Sequence, residues 1–396
     1  MEQKLIGTTT VFFTDRCREK NKGILKLTHP AMLAEEETLH WLDSVHLDEV
    51  AANMDADLRT AAENALSKGT VLLANTAWKT ADEWEKWLQK DNKKKKRVHL
   101  LALGDVGSTV LTALKLMGGD CIETLGIYDV NPDVCARWET ELNQAAFPWD
   151  YDALPTVEIL TEEQLFDCDM FVFCASKGIP PVGSQVQDVR MVQYEANKGI
   201  ISIFAKKARD AKFEGLFAVV SDPVDPLCHA AFLASNEDEA GIFDGKGLRP
   251  EQVQGYGLGV MNARAAYYAK QNPNFADFLT EGRAFGPHGQ DLVIANSIAN
   301  YDDERSKALT KLAIEANLRM RELGFKPYVA PAISSAAISL LLTLRGEWHY
   351  SSNFLNGVYM GSKNRTTLGV EIESLPLPDA LFKRIQKAYD GLEMIR

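Results

Sequence analysis

The sequence lacks the features that membrane proteins and secreted, disulfide-rich proteins need. No apolar run reaches the roughly 18 residues of a membrane-spanning helix, and the first residues hold no apolar stretch long enough for a secretory signal. The six cysteines form no C-x-x-C pair, which indicates reduced thiols. These absences predict a cytoplasmic protein with no membrane partner.

An excess of positive charge is also absent. The chain has 43 Lys and Arg against 55 Asp and Glu, a net charge of −12, so nucleic acid is not expected as a partner. The basic run NKKKKR at 92–97 is interpreted as a solvated linker, although such a run could also bind phosphate. Neither a G-x-S-x-G sequence nor a Walker-type lysine occurs, which argues against a serine hydrolase and a P-loop enzyme.

The chain has an ordinary globular composition and an alternation of helical stretches with short apolar runs. Its 396 residues suggest two domains or three, and 46% hydrophobic residues can form a sizeable core. From about residue 97, helical stretches separate short apolar runs that predict buried strands, at 98–103, 125–128, 157–160, 170–174 and 216–221. This alternation is typical of a parallel sheet covered by helices on both faces.

Residues 1–96 precede this pattern and have a mixed character. An apolar run occupies 10–13, TVLLANT at 70–76 resembles a strand, and helices are predicted at 34–48 and in the acidic, tryptophan-rich stretch 80–90. This part is interpreted as an N-terminal α/β segment whose sequence indicates no function.

A glycine turn follows the strand predicted at 98–103. Gly104 and Gly107 stand between that strand and a helix, where a bare backbone can approach a pyrophosphate and the helix N-terminus faces the phosphates. Ala102 replaces the first glycine of the usual pattern. Asp129 ends the next strand, where a carboxylate can accept hydrogen bonds from ribose hydroxyls, which favours NAD over NADP. A helix-capping aspartate is the alternative for Asp129.

One of only seven histidines, His288, lies in the glycine-flanked sequence RAFGPHGQDL. An imidazole exchanges protons near neutral pH, so a histidine beside a nicotinamide can pass a proton while the cofactor passes a hydride. A structural histidine in a tight turn is the alternative.

Several stretches together resemble the lactate/malate dehydrogenase family, from about residue 97 to the C-terminus. They occur in the family's order: ALGDVG with Asp129, CASKG, Arg190 with Asn197, SDPVD at 221–225, GYGLGVMNAR at 255–264, GPHGQ at 286–290 and AISSAAISL at 332–340. Each stretch alone is weak, whereas the ordered set is specific for the superfamily.

The resemblance implies a role for each matching residue. His288 is the acid/base residue, Arg264 grips the substrate carboxylate, and Arg190 of the mobile loop polarises the carbonyl being reduced. Asn197 and the residue at 222 line the nicotinamide side, and Ser334 falls in the substrate pocket. The residues implied in cofactor binding are Gly104, Asp105, Val106, Gly107, Asp129, Ala175, Ser176 and Asn197.

Two departures from the family concern His288 directly. The family's aspartate that orients the histidine is replaced by Met261, and a thioether cannot stabilise an imidazolium. The family's N-P-V-D has become D-P-V-D at 222–225. We expect Asp222 to replace the lost carboxylate in part, either by contacting His288 or by favouring a substrate with a donor group such as an amine. Asp222 is therefore counted with the catalytic residues.

Two further departures concern the surroundings of the site. The loop before Arg190 is longer than usual and lacks the arginine with which malate enzymes bind a second carboxylate, so a substrate with one carboxylate is favoured over malate. The family's G-E-H-G-D reads G-P-H-G-Q, in which Gln290 removes another carboxylate. The pair Cys228-His229 invites a metal, but no ligand cluster accompanies it, and no metal is expected.

The sequence thus predicts an α/β protein with a Rossmann-type, NAD-binding domain at 97–254 and an α+β catalytic domain at 255–396, preceded by the segment 1–96. The expected function is NAD-dependent interconversion of a 2-oxo acid and a 2-hydroxy acid. The alternatives are a cofactor-binding protein with little turnover, in a sensing or assembly role, and an imine-reducing dehydrogenase. A homo-oligomer, dimer or tetramer, is implied by the resemblance alone.

Overall fold

The computed structural model describes residues 2–14, 39–42, 56–89, 94–177, 189–289, 291–355, 357–373 and 375–395. Within these ranges the strands are β1 (Glu2–Ile6), β2 (Thr9–Thr14), β3 (Leu39–Leu42), β4 (Thr70–Asn75), β5 (Lys96–Leu101), β6 (Ile122–Tyr128), β7 (Thr156–Ile159), β8 (Met170–Phe173), β9 (Leu216–Val219), β10 (Val253–Gly255), β11 (Arg283–Phe285), β12 (Val293–Ala295), β13 (His349–Leu355), β14 (Val358–Thr366) and β15 (Val370–Ile372).

The helices lie between these strands. They are α1 (Ala56–Leu66), α2 (Ala81–Leu88), α3 (Asp105–Met117), α4 (Pro132–Asn143), α5 (Val189–Asp210), α6 (Val224–Asn236), α7 (Leu258–Ala269), the short α8 (Phe278–Glu281), α9 (Asp303–Glu322), a π-helical stretch (Pro331–Ala337) that leads into α10 (Ile338–Arg345), and α11 (Asp379–Glu393).

A nine-stranded sheet forms the centre of the molecule, in the order β15-β14-β13-β10-β9-β8-β5-β6-β7. The six strands from β10 to β7 are parallel, and β13, β14 and β15 extend the sheet in antiparallel fashion. The chain order therefore reverses between β5 and β8. Ligands bind at such a reversal, beyond the carboxyl ends of the strands.

Helices cover both faces of this sheet, because alternate strand residues enter two separate cores. Val98, Leu100 and Val172 pack with α3, the π-helical stretch and α10. Phe171 and Phe217 pack on the other face with α5 and α6. The α/β fold with a parallel sheet is thus confirmed.

The N-terminal segment forms a separate four-stranded sheet, β1-β2-β4-β3, with β2 and β4 parallel. Its helix α2 begins at the capping box formed by Thr80 and Glu83, and buries Trp84. The guanidinium of Arg249 lies 4.9 Å from the ring of Trp87, which places the segment against the part of the chain that holds the parallel strands.

One predicted element of this segment is wrong where it can be checked. A helix was expected at 34–48, but Leu39–Leu42 pairs with β4 as an antiparallel strand. The other residues of that stretch lie outside the described ranges. An edge strand supplies backbone partners for β4, and this tertiary pairing overrides the local helical pattern. The residues 92–93 of the basic run are not described, while residues 96–97 open β5.

Candidate active site

The candidate site is a cluster of charged side chains around His288. The β11–β12 hairpin carries this residue, and Gly286 (φ 88°) and Gly289 (φ 130°) adopt left-handed backbone angles on either side of it. Glycine is required there, since other residues rarely adopt such angles. The side chain of His288 is 14% exposed, and its Nδ1 lies 3.4 Å from Oδ1 of Asp222.

Asp222 comes from the loop that follows β9, and its side chain is half exposed. A cis peptide bond joins it to Pro223. The buried side chain of Asn197 holds this loop: its amide donates to the carbonyl oxygen of Asp222 (2.8 Å) and to Ser176 Oγ (3.2 Å), while its Oδ1 accepts from the backbone of Lys177 (2.9 Å). Asn197 therefore ties the ends of β8 and β9 together beside the site.

Arg264 extends the cluster from helix α7. Its guanidinium donates to Asn317 and to the sulfur of Met261 (3.5 Å), and among the described residues no carboxylate lies within ion-pair distance of it. Burial lowers the pKa of Arg264, while Tyr268 and Asp222 oppose that shift. A half-buried guanidinium of this kind is suited to bind the carboxylate of a small molecule.

A second carboxylate near His288 was not predicted. Asp225, in the first turn of α6, is 3% exposed and accepts a hydrogen bond from Ser352 Oγ. Burial raises its pKa to about 6, against the opposing effects of Ser352 and of His288. The sequence contained a signal for it, since Asp225 closes the D-P-V-D stretch, but its burial follows only from the packing of α6 on β13.

The small-residue stretch at 332–340 is π-helical at its start, and only one of its two central serines has a structural role. Ser335 is buried; its hydroxyl donates to the carbonyl of Gly257 (2.6 Å) and accepts from the backbone of Val260 (2.8 Å). It thereby caps helix α7, whose own N-cap residue provides no side chain. The predicted pocket residue Ser334 is half-buried beside it.

We expect Ser335→Ala to lower the free energy of unfolding by about 2 kcal/mol, because the amide of Val260 loses its buried partner at the start of α7. Ser334→Ala is the matched control and should change it by less than about 0.5 kcal/mol. Chemical denaturation of the two variants measures both values. Equal losses in the two variants would contradict the capping role.

The predicted phosphate turn lies at the reversal between β5 and β8. Gly104 is the N-cap of α3 with no side-chain cap, and open space surrounds the position of its missing Cβ. At Gly107 a Cβ would come 2.0 Å from the carbonyl oxygen of Ala102, so only glycine allows this close packing. Val106, in the first turn of α3, is half-buried and packs against the core beneath the helix. The backbone amides at the start of α3 can thus face an anion.

Ala102 itself holds a backbone angle that suits the glycine found in the usual pattern, with φ at 72°. We expect Ala102→Gly to raise the free energy of unfolding by about 0.5–1 kcal/mol, since left-handed strain of about 1–2 kcal/mol exceeds the entropy that glycine adds to the unfolded chain. Ala113→Gly, in the interior of α3, is the control and should lower it by about 1 kcal/mol. Thermal or urea unfolding of the two variants measures these changes in the free energy of unfolding, which should have opposite signs.

The acid predicted to bind ribose is half-buried at the end of β6. Oδ2 of Asp129 accepts from the backbone of Leu103 (2.8 Å), and Oδ1 accepts from the backbone of Asn131 (3.0 Å). Each oxygen keeps a second lone pair, so both can still accept from hydroxyl groups. Asn131, with Pro132 after it, caps α4.

Three other predicted cofactor residues lie at the start of α3 and in the loop after β8. Asp105, on the first turn of α3, pairs with Lys326 (2.9 Å). The carbonyl of Ala175 accepts from Ser221 Oγ (2.7 Å), which joins the loops after β8 and β9, and Ser176 faces Asn197 as described. Arg190 lies in the first turn of α5; its side chain and the preceding loop at 178–188 lie outside what the structure describes, and so does Gln290.

Two other histidines, at positions 349 and 229, have contacts of their own. His349 belongs to a buried hydrogen-bond network with Thr343 and Ser351, and burial lowers its pKa to about 4. Cys228 is buried, and the ring of His229 lies 6.5 Å from that of Tyr359. Across the described ranges, no group of three or more His, Cys, Asp or Glu side chains could hold a metal ion.

Known proteins with similar sequences are dehydrogenases. The chain is 27% identical to a probable malate dehydrogenase of Campylobacter jejuni over 291 residues, which covers 69% of this chain and 87% of the relative. It is 24% identical to an L-lactate dehydrogenase of Staphylococcus haemolyticus over 255 residues, 62% of this chain and 73% of the relative. No family model matches the chain.

Solved structures of the same kind share the fold. A minor L-lactate dehydrogenase from Enterococcus mundtii superimposes with a TM-score of 0.60 at 17% identity, covering 76% of this chain and 97% of its own. A malate dehydrogenase from Archaeoglobus fulgidus in complex with NADH gives 0.60 at 18% identity, covering 76% and 98%. Within the described ranges, none of the helices combines the length and apolar composition needed to cross a bilayer.

Proposed function

We propose that this chain, which belongs to the lactate/malate dehydrogenase superfamily, is an oxidoreductase that interconverts a 2-oxo acid and its 2-hydroxy acid with NAD. The observation that carries the proposal is the cluster of His288, Asp222 and Arg264, in which an imidazole and a carboxylate lie 3.4 Å apart beside a half-buried guanidinium. A proton donor and an anchor for a carboxylate are the two groups that this reaction needs from the protein.

Arg264 binds the substrate carboxylate in this account. Its guanidinium is directed by Asn317 and Met261 and has no carboxylate partner in the described part of the chain. A guanidinium can bind both oxygens of a carboxylate, which fixes the orientation of the substrate as well as its affinity. Arg190 polarises the carbonyl from the start of α5, as the resemblance implies.

His288 holds the proton that the substrate oxygen receives on reduction. Nearby Asp222 stabilises the protonated imidazole, the task that Met261 cannot perform. The carboxylate of Asp222 also fixes which ring nitrogen points toward it. In the reverse direction, His288 removes the proton of the 2-hydroxy acid.

The residues of the phosphate turn fit a dinucleotide. The uncapped start of α3 offers backbone amides to the pyrophosphate, the missing side chain at Gly104 leaves room for it, and Asp129 can accept from the ribose hydroxyls. A carboxylate at 129 would repel a 2′-phosphate, so NAD is favoured over NADP. When bound, this cofactor supplies or receives the hydride.

The loop sequence supports a substrate with one carboxylate. Residues 179–189, IPPVGSQVQDV, contain no arginine for a second carboxylate, so lactate-type acids are favoured over malate. The described cysteines form no disulfide bond, which agrees with the cytoplasmic location that we propose. The resemblance to the superfamily supports a homo-oligomer. Apart from the cofactor, the binding partner that we propose is the small-molecule substrate.

The test is an NADH-oxidation screen over 2-oxo acids with one and two carboxylates, each with and without ammonia or a primary amine. Amine-independent oxidation by the wild type, lost in His288→Ala, is expected. Oxidation that requires the amine favours imine reduction, for which Asp222 would face the substrate nitrogen. Tight NADH binding without turnover of any substrate would overturn the proposal and favour a binding protein.

A further inference from the structure

Beside His288 lies the buried carboxyl group of Asp225, which has no role in the reaction proposed above. Asp225 is three residues after Asp222 and, unlike it, is almost wholly shielded from solvent. Buried carboxylates are costly unless they are paired or hydrogen-bonded, so the contacts of Asp225 need an explanation.

The contacts of Asp225 hold its carboxyl group against the central sheet. This group, on α6, accepts a hydrogen bond from Ser352 Oγ of β13. Asp225 and His288 line the same small pocket, and the carboxylate interacts electrostatically with the imidazole. Its place beside the hairpin that carries His288 is thereby fixed.

A small enclosed cavity separates this pair from the C-terminal helix. Its volume is about 60 Å³, and Asp225, His288, Asp291, Tyr194, Leu392 and Ile395 are among its lining residues. Most of this lining is apolar, and Asp225 itself is 3% exposed. Charge interactions between Asp225 and His288 are therefore weakly screened.

We propose that Asp225 is a positioning residue of the site, whose buried negative charge beside His288 favours the protonated imidazole. This role complements Asp222, which faces Nδ1 from the open side, and it compensates for Met261. The effect on catalysis rests on the proposed function, whereas the effect on the protonation of His288 does not.

Other charged and titratable groups also face this pair. Asp222 and Asp291 lie around His288, and Arg264 interacts with Asp222. Cys228 and Tyr194 lie around Asp225. Because burial raises the pKa of Asp225 to about 6, its carboxylate is mainly ionised at neutral pH. Asp222 is half exposed and Asp291 is exposed, so solvent screens both of them more strongly than it screens Asp225.

The test follows the ring of His288 by NMR in protein labelled with ¹³C at histidine Cε1, with His288→Gln assigning the signal. In Asp225→Asn, the midpoint of the His288 titration is expected about one pH unit lower than in the wild type, because the protonated ring loses an opposite charge. Asp291→Asn, which removes an exposed carboxylate lining the same cavity, is the control and should leave the midpoint unchanged.

The wild type provides a second measurement that does not depend on a folded variant. The Asp225 ¹³Cγ signal and the His288 ring signal should share an inflection, since two interacting groups titrate as a pair. An unchanged midpoint in a folded, NADH-binding Asp225→Asn, or separate inflections in the wild type, would overturn the proposal.

Kinetics separates this proposal from the proposed function. The pH at which kcat/KM for 2-oxo acid reduction falls at the alkaline side should move down in Asp225→Asn by the same amount as the NMR midpoint. An effect of the substitution on stability alone would lower the activity without moving the pH at which kcat/KM falls. If the wild type reduces no 2-oxo acid, the proposed function fails while the NMR result still decides the role of Asp225.

Discussion

Replacing His288 by asparagine is expected to lower kcat for reduction of a 2-oxo acid by about a thousandfold, because the substrate oxygen loses its positioned proton donor. Since the imidazole acts in the transition state, kcat and kcat/KM should fall together while the Kd of NADH stays the same. Stopped-flow measurement of NADH oxidation, with NADH binding followed by fluorescence, checks both parts.

The control for this loss is His229→Gln, which removes another imidazole from the neighbouring helix α6. Its kcat should stay within about twofold of the wild type, as for a substitution outside the reacting groups. If His288→Asn retained most of its activity, the histidine would be a structural residue of the hairpin and the proton would have another source.

Replacing Arg264 by lysine is expected to raise KM for the 2-oxo acid by about a hundredfold, because a single ammonium cannot make the two parallel hydrogen bonds of a guanidinium. The lysine also loses the contact with Asn317 that holds the side chain in place. Initial rates over a wide range of substrate concentration, at saturating NADH, measure the change.

Arg319→Lys gives the matched comparison for Arg264, since it makes the same chemical change on the exposed surface of α9, two residues from Asn317. Its KM should equal that of the wild type. Equal effects of the two substitutions would mean that Arg264 contributes only to stability, and the carboxylate of the substrate would have to bind elsewhere.

The architecture was predictable from the sequence because its signals are local. Runs such as VHLLAL and MFVF are apolar throughout, as strands buried on both faces must be, and the glycine turn after the first run marks the sheet edge. The ordered stretches also identified the superfamily, which the relatives confirm. The strand at Leu39–Leu42 was missed because its pairing partner, β4, lies some thirty residues further along the chain.

The candidate residues could be chosen from the sequence, whereas only the structure shows their contacts. His288, Asp222 and Arg264 were named from the sequence, and the structure brings the first two within 3.4 Å. Asp225 and Ser335 were missed because their roles depend on burial between elements distant in sequence, which no local pattern reports. The neighbouring residues Asp222 and Ser334 were predicted instead, because they stand at positions that match the family's motifs.

We propose that Asp222 supports His288 in place of a carboxylate at position 261. Asp222→Asn tests it directly, because the change is isosteric and leaves His288 beside the thioether of Met261. The measurement is the single-turnover rate of NADH oxidation at saturating 2-oxo acid. A rate about a hundredfold below that of the wild type is expected, with NADH binding unchanged. Equal rates in the two proteins would contradict it.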